Sequence, residues 1–316
     1  MHTALCTFQA LSRQLKFRHL VLLDALAQTK NMRLAAERIN VTQPAATKTL
    51  HDLEELLGIS LFDRLPREMR PTELGILVIR YAQRALNDLE RFVGEINVKK
   101  DGGYGYLSIG AISASLGNVV TTAIRIIKQR RPLLTVRLFE QSSDQLLVGL
   151  EQKKFNFIVG RFTEIHQKNI FNFEALIDET LWVVVDSRHP LLKRKKINIH
   201  ELRDWPWILQ PPASPSRQLL EESFSQAGIP MPANLTEMPS VFPALQLLQS
   251  SNMIALQSRS AVSEYVRRGV LGRLPIEFGH KMSPYGILAR KDEILSESAQ
   301  EFAATLREAV REICVE

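Results

Sequence analysis

The chain reads as an all-α head followed by an α/β remainder, and three observations carry that division. Residues 17–71 hold short helix-like runs around the segment NVTQPAATKTL (Asn40–Leu50). Residues 72–98 form one long amphipathic pattern. After the glycine-rich stretch KKDGGYG (Lys99–Gly105), strand-like and helix-like runs alternate to the end. Together they predict a winged helix-turn-helix, a linker helix and a two-lobed α/β unit.

In the head, Phe17–Ala27 carries Leu20, Leu23 and Ala27 on one helical face, and Thr29-Lys30-Asn31 breaks it. Met32–Ile39 is a second helix whose Leu34, Ala35, Ala36 and Ile39 allow close crossing. Asn40-Val41 makes the turn, Thr42 is a good N-cap, and Pro44 falls in the first turn, where its missing N–H costs nothing. Ala46, Leu50, Leu53 and Leu57 then form an inward stripe that Gly58 ends. Ile59–Phe62 and Met69–Pro71 flank a basic, proline-containing loop and read as a two-stranded wing.

Thr72 caps the long helix, with Glu73 against the positive end of its dipole. Val78, Ala82, Ala85, Leu89, Phe92 and Ile96 follow at spacings of four and three, the seam of a helix–helix dimer. The alternative is an amphipathic helix packed on its own domain. Beyond the hinge, Leu107–Ala111, Leu134–Glu140 and Phe155–Val159 read as strands, with helices near Leu116–Gln129 and Ser143–Glu151 between them. This βαβαβ order implies a mostly parallel sheet. A second set runs from Leu181–Val185 through Trp207–Leu209, Pro215–Gln226, Phe242–Gln249, Met253–Leu256 and Ser260–Arg268. A late strand at Tyr285–Ala289 and a helix at Ser298–Ile313 suggest two lobes joined by crossovers. The expected domains are 1–71 (winged head), 72–98 (linker helix), 99–105 (hinge) and 106–316. Within the last, lobe I is about 106–177 and 279–316, and lobe II about 178–278.

The 45% hydrophobic and 23% charged fractions are those of a globular protein, and no run of about eighteen apolar residues offers a membrane span. The N-terminus lacks the pattern of an export signal, so a cytoplasmic protein is expected. Cys6 and Cys314 form no redox or metal spacing, and the seven histidines make no HExxH. No P-loop, GxGxxG or GxSxG occurs. No catalytic residue, metal or cofactor is therefore expected. A net charge of +6 suits a polyanion partner without requiring one.

The helix after the turn places Gln43, Thr47, Lys48 and His51 opposite the leucine stripe. Gln pairs bidentately with adenine, Thr meets a thymine methyl or phosphate, and Lys reaches guanine or phosphate. Arg64, Arg67 and Arg70 on the wing are placed to grip phosphate or the minor groove. Solvation of an ordinary polar face remains the alternative.

At these residues the chain resembles LysR-type transcriptional regulators. The landmarks are Ala35-Ala36-Glu37-Arg38, Thr42-Gln43-Pro44-Ala45, Leu53-Glu54, Leu57-Gly58, Leu61-Phe62-Asp63-Arg64 and Thr72-Glu73-x-Gly75. Later segments (SSDQLL, FNFIVGRF, RHPL, ARK) extend the resemblance to the end. LKFRHLVLLDAL, FDRLP, VGRF and DWPWILQPPASPSRQLLEESF look most like the branch containing galactose-binding-protein regulators. The resemblance implies a DNA-binding winged helix-turn-helix, a dimerising linker helix and a periplasmic-binding-protein-like (type 2) effector domain. It also implies a homodimer or, more usually, a homotetramer, with RNA polymerase as a further partner. It assigns operator contacts to Gln43, Pro44, Thr47 and Lys48, and wing contacts to Arg64 and Arg67; Thr42, at the start of the same helix, is expected beside them at the DNA. Many members carry Ser and Arg where this chain has Thr47 and Lys48. Lysine lacks the planar fork, so Gln43 is expected to carry most of the direct base readout.

A small polar effector (a sugar, sugar acid or other organic acid) is expected between the lobes, near strand ends and helix N-termini. Ser113, Ser115, Ser142, Ser143 and Ser214 lie at such places, either as caps or as ligand contacts; Ser142-x-x-Gln145 is a capping-box pattern. Arg161 either pairs with an anion or lines the hinge. Arg217 stands in a first helical turn, unfavourable unless an anion or acidic partner is near. Trp205 and Trp207 read as packing of the second lobe.

Overall fold

The computed structural model describes residues 7–65, 68–100, 102–212, 214–276, 278 and 282–315. It divides into two compact units, Met1–Asn97 with Glu151–Lys154, and Val98–Leu150 with Phe155–Glu316.

The first unit opens with α1 (Phe8–Gln14), which the apolar pattern did not signal and which Thr7 caps. Then come α2 (Phe17–Thr29), α3 (Met32–Arg38) and α4 (Gln43–Leu57). Asn31 caps α3 by accepting from the amides of Arg33 and Leu34, and Thr42 caps α4 by accepting from Ala45 at 3.4 Å. Asn40 takes the left-handed conformation of the intervening turn, which asparagine tolerates better than most residues. Leu20, Leu23, Leu26, Ala35, Ala36, Ala46, Leu50 and Leu53 fill one core. Leu34, expected at the crossing, faces solvent instead, because the two alanines already bring the helices together.

The wing is β1 (Phe62–Arg64) antiparallel to β2 (Met69–Pro71). It leads into the 28-residue α5 (Glu73–Lys100). Thr72 accepts from the Gly75 amide at 2.9 Å and donates to Ser60 O at 2.9 Å, tying the helix start to the wing. A Cβ on Gly75 would stand 2.0 Å from Leu61 O, so the close approach admits glycine alone. α5 runs two residues into the expected hinge, where Lys99 and Lys100 complement the negative end of its dipole.

The second unit begins with β3 (Gly105–Ala111), α6 (Ser113–Ser115), a π-helical turn (Leu116–Val120) and α7 (Thr121–Arg130). β4 (Leu134–Glu140), α8 (Ser143–Glu151), β5 (Phe157–Gly160) and β6 (Phe171–Ile177) follow. β5 starts later than expected: the Phe155 carbonyl accepts from Arg290 Nη1 at 2.9 Å, and the Ser108 amide of β3 donates to the Asn156 side chain at 2.8 Å instead of to the backbone. The next elements are β7 (Leu181–Asp186), α9 (Ile199–Leu202), β8 (Trp207–Leu209), α10 (Pro215–Gln226) and β9 (Leu235–Glu237). α11 (Val241–Gln249), β10 (Ile254–Ser258), α12 (Arg259–Arg267) and β11 (Leu271–Arg273) complete that set. β12 (Tyr285–Arg290) and α13 (Glu297–Val315) close the chain.

These strands make two five-stranded sheets, β4-β3-β5-β12-β6 and β11-β7-β10-β8-β9. Each is mixed: β4, β3 and β5 are parallel, as are β10, β8 and β9, while β12 and β7 run against their neighbours. The chain passes from the first lobe to the second after Ile177 and returns before Tyr285. Trp207 is fully buried and donates Nε1–H to Leu202 O, and Trp205 packs at a tilt against His189, so both tryptophans pack the second lobe.

Candidate nucleic-acid interface and effector cleft

On α4 the buried stripe Ala46, Leu50 and Leu53 fixes the opposite face outward. Thr42, Gln43, Pro44, Lys48 and His51 are exposed and Thr47 is half-buried. Gln43, Thr47, Lys48 and His51 make no side-chain hydrogen bond or ion pair among the described residues, so their donors and acceptors are open to solvent or a partner. Beside them Arg70 is likewise exposed and unpaired, whereas Arg64 lies 3.6 Å from Glu54. Glu54 also accepts from the Leu61 amide at 2.8 Å, so one carboxylate joins α4 to the wing. That anchoring role had no local sequence signal, because its partner is seven residues away across a turn. Arg67 lies outside the described residues.

The expected dimer seam divides. Ala82 is fully buried in the head core, and Val78 and Ala85 pack against that core from the side, together with Ile79 and Leu86. Heptad spacing showed a stripe but could not tell which neighbour covers it. Leu89 and Phe92 are exposed and Ile96 is half-buried. Leu77 at 64% and Tyr81 at 56% exposure open a second apolar stretch earlier in the helix.

In the second unit the C-terminal ends of β4, β3 and β5 lie side by side. Ser113 Oγ donates to Glu140 Oε1 at 2.5 Å, joining two of these ends. Ser143 Oγ accepts from the Arg161 amide at 3.3 Å, joining the start of α8 to the end of β5. Ser115 is fully buried and its hydroxyl donates to Ile112 O, which removes it from the exposed donors expected for a ligand. Ser142 is exposed with no side-chain hydrogen bond, so the capping box with Gln145 does not form.

Ser214 caps α10 by accepting from the Arg217 amide at 3.3 Å. The acidic partner that Arg217 requires is Glu221, whose Oε1 accepts from Nε at 2.5 Å, while the buried Nη1 has no partner.

Arg161 reaches furthest. Its side chain is 8% exposed, Nε donates to Ser283 O at 2.8 Å, and Nη2 lies 3.9 Å from Glu179 Oε2 without a hydrogen bond. Glu179, 2% exposed between β6 and β7, accepts from Ser260 Oγ at 2.8 Å. Burial holds the Glu179 carboxyl above its ordinary range, opposed by Ser260 and Arg161. Burial lowers the Arg161 guanidinium, opposed by Glu179. Sequence reading missed Glu179 and Ser260; 81 positions separate them, and no pattern links such distant residues. Gln257, near the end of β10, is also buried and its side-chain amide makes no hydrogen bond among the described residues.

Among the described residues no cluster of His, Cys, Asp or Glu is placed to hold a metal, and no helix is long and apolar enough to cross a membrane. Residues 17–76 match the family model of the bacterial regulatory helix-turn-helix protein, lysR family, and residues 100–311 match the LysR substrate binding domain.

The chain belongs to the LysR family.

GbpR, an HTH-type transcriptional regulator of Azospirillum brasilense, is 32% identical over 300 residues, spanning 95% of this chain and 88% of its own length. The GbpR of Rhizobium radiobacter is 30% identical over 75% of this chain and 79% of its own. Among solved structures, CbnR, a LysR family transcriptional regulator, superposes with a TM-score of 0.64 at 23% identity, covering 94% of this chain and 99% of its own. This LysR member is thus a DNA-binding transcriptional regulator with an effector-binding domain, and not an enzyme.

Proposed function

We propose that this regulator, acting in the cytoplasm, reads its operator through Gln43, with Thr42, Pro44, Thr47, Lys48 and His51 around it and Arg64, Arg67 and Arg70 on phosphate. The observation that carries this is the face of α4. It is a row of polar side chains held outward by the leucine stripe, with no internal partners to give up on meeting DNA. Backbone contacts from the wing and Lys48 supply salt-dependent grip, and Gln43 supplies base preference. CbnR has been seen in complex with its target DNA, which supports the same use of the head here.

The effector in this reading is a small polar metabolite, a sugar, sugar acid or other organic acid, bound between the two lobes of the second unit. Ser113, Ser142, Ser143, Arg161, Ser214 and Arg217 stand at the strand ends and helix starts that suit it. Leu89, Phe92 and Ile96 extend a homodimer along α5, and a homotetramer follows from pairing of dimers. A two-fold dimer places two α4 helices on successive turns of a pseudo-palindrome.

A mobility-shift titration of the full chain on the DNA upstream of its own gene tests the DNA reading. The expected result is a sequence-selective shift weakened by salt and by Gln43→Ala. Absence of any selective shift at micromolar protein would sink it. Thermal-shift screening with sugars, aldonic acids and aromatic acids tests the effector class, because a ligand bound to the folded state raises the melting temperature.

A further inference from the structure

The two lobes of the effector-binding unit meet where α12 of the second lobe is seated on the π-helical turn of the first. A Cβ on Gly117 would stand 2.5 Å from Ser260 O, 3.1 Å from Ser260 C and 3.2 Å from Ala261 Cα. Backbone lies on both sides of this contact, so no side chain can swing away to make room. A π turn inserts an extra residue into a helix and is uncommon outside sites with a special demand on geometry. Here it carries the glycine that lets the second lobe approach.

The same serine is tied to the crossover between the lobes. Ser260 Oγ donates to Glu179 Oε2 at 2.8 Å, and the neighbouring Arg259 amide donates to Thr180 O at 2.8 Å. Glu179 in turn faces Arg161 at the end of β5, and Arg161 Nε donates to Ser283 O, just before β12. A single chain of groups, with Arg161 and Glu179 buried at its centre, thus links the end of β5, the outgoing crossover, the segment entering β12 and the start of α12.

We propose that Ser260 is the pivot on which the two lobes turn. The lobes swing about the Gly117–Ser260 contact and do not separate at it, because separation would draw the Ser260–Glu179 pair away from the buried Arg161 guanidinium. Gly117 sets how closely the pivot is seated, and the Ser260 hydroxyl pins it to Glu179. Ser260 and Gly117 are positioning residues: they fix the lobe angle whatever ligand fills the cleft.

Interlobe distances measured by double electron–electron resonance test this directly. Labels go on Val148 of α8 and Gln218 of α10, both exposed, in the whole 316-residue chain with Cys6 and Cys314 replaced by serine. The labelled chain is diluted into excess unlabelled chain. The expected result for Gly117→Ala is a shift of the mean distance by roughly 2 Å or more, since close-packed interiors transmit such a displacement rigidly. Ser260→Ala, a mild change that keeps the fold testable if the glycine variant does not fold, broadens the distribution. Ser260→Thr, which keeps the hydroxyl, restores it. Wild-type distributions in both Gly117→Ala and Ser260→Ala would overturn the pivot, and so would Ser260→Thr behaving like Ser260→Ala.

Discussion

The outer face of α4 and the Arg161–Glu179 region are both polar, yet they treat their polar groups in opposite ways. On α4, Gln43, Lys48 and His51 are exposed and have no partner within the described residues. Around Arg161 the two charges are buried and engaged by neighbouring groups, and the few unmade bonds stand out. Water satisfies the first set, so leaving it unpaired costs nothing and keeps it available to DNA. No water replaces a missing partner so cheaply in the second, so its groups must satisfy one another. A recognition surface can therefore be changed without harm to the fold, and a buried polar hub cannot.

The widest test of that contrast is Arg161→Ala. Removing one member of a buried ion pair costs about 3–5 kcal/mol, measurable by urea unfolding. The sign with pH is specific. Glu179 already has a folded pKa above its ordinary 4.5, and losing Arg161 raises it further. The folded variant then holds a proton that the unfolded chain releases. Its deficit shrinks as pH falls through the raised value towards 4.5 and is full above it. An unchanged deficit across that range would show that the cost is packing alone.

Gly75→Ala comes next. Its methyl collides with Leu61 O, and overpacking of this kind costs about 1–3 kcal/mol. The loss should fall on the head and appear as weakened DNA binding alongside a lowered melting temperature. Gln43→Ala belongs to the other region. It should lose about 1–3 kcal/mol of operator affinity at one base step with no change in unfolding midpoint. Lys48→Ala should weaken all sequences alike and reduce the salt slope by about 1. If Gln43→Ala lowered stability instead, the α4 face would be structural and the contrast would fail.

The smallest effect concerns the Glu174–Arg307 pair between β6 and α13, with hydrogen bonds of 2.6 and 2.8 Å on the surface. The hydrogen bond from Arg307 holds the Glu174 carboxyl below its ordinary value. The pair therefore contributes above about pH 4.5 and its contribution is lost as pH falls further. Glu174→Gln should cost less than about 1 kcal/mol at neutral pH and nothing in acid, read from thermal melts across pH.

The legibility of the chain follows the same physics. The turn at Asn40, the cap at Thr42 and the end at Gly58 are set by neighbours within four residues, and they appear where the local chemistry puts them. β9 and β11, three residues each, are too short to show a period, and α1 has no buried face to mark it. Ser113 and Ser143 were found as strand-end serines, but their partners Glu140 and Arg161 come from other elements and could not be inferred. The α5 stripe was visible, yet that Ala82 is covered by the head core depends on folding in three dimensions.

By itself, then, the sequence determined most of the helices, the caps at Thr42 and Ser214, the outward polar face of α4 and the family, because each rests on spacing along one element. Only the tertiary structure decided that Thr72 and Gly75 lock the wing to α5, and that Arg161, Glu179 and Ser260 meet at the lobe crossover. Those contacts join residues far apart in the chain, and burial, which no single position carries, sets their chemistry.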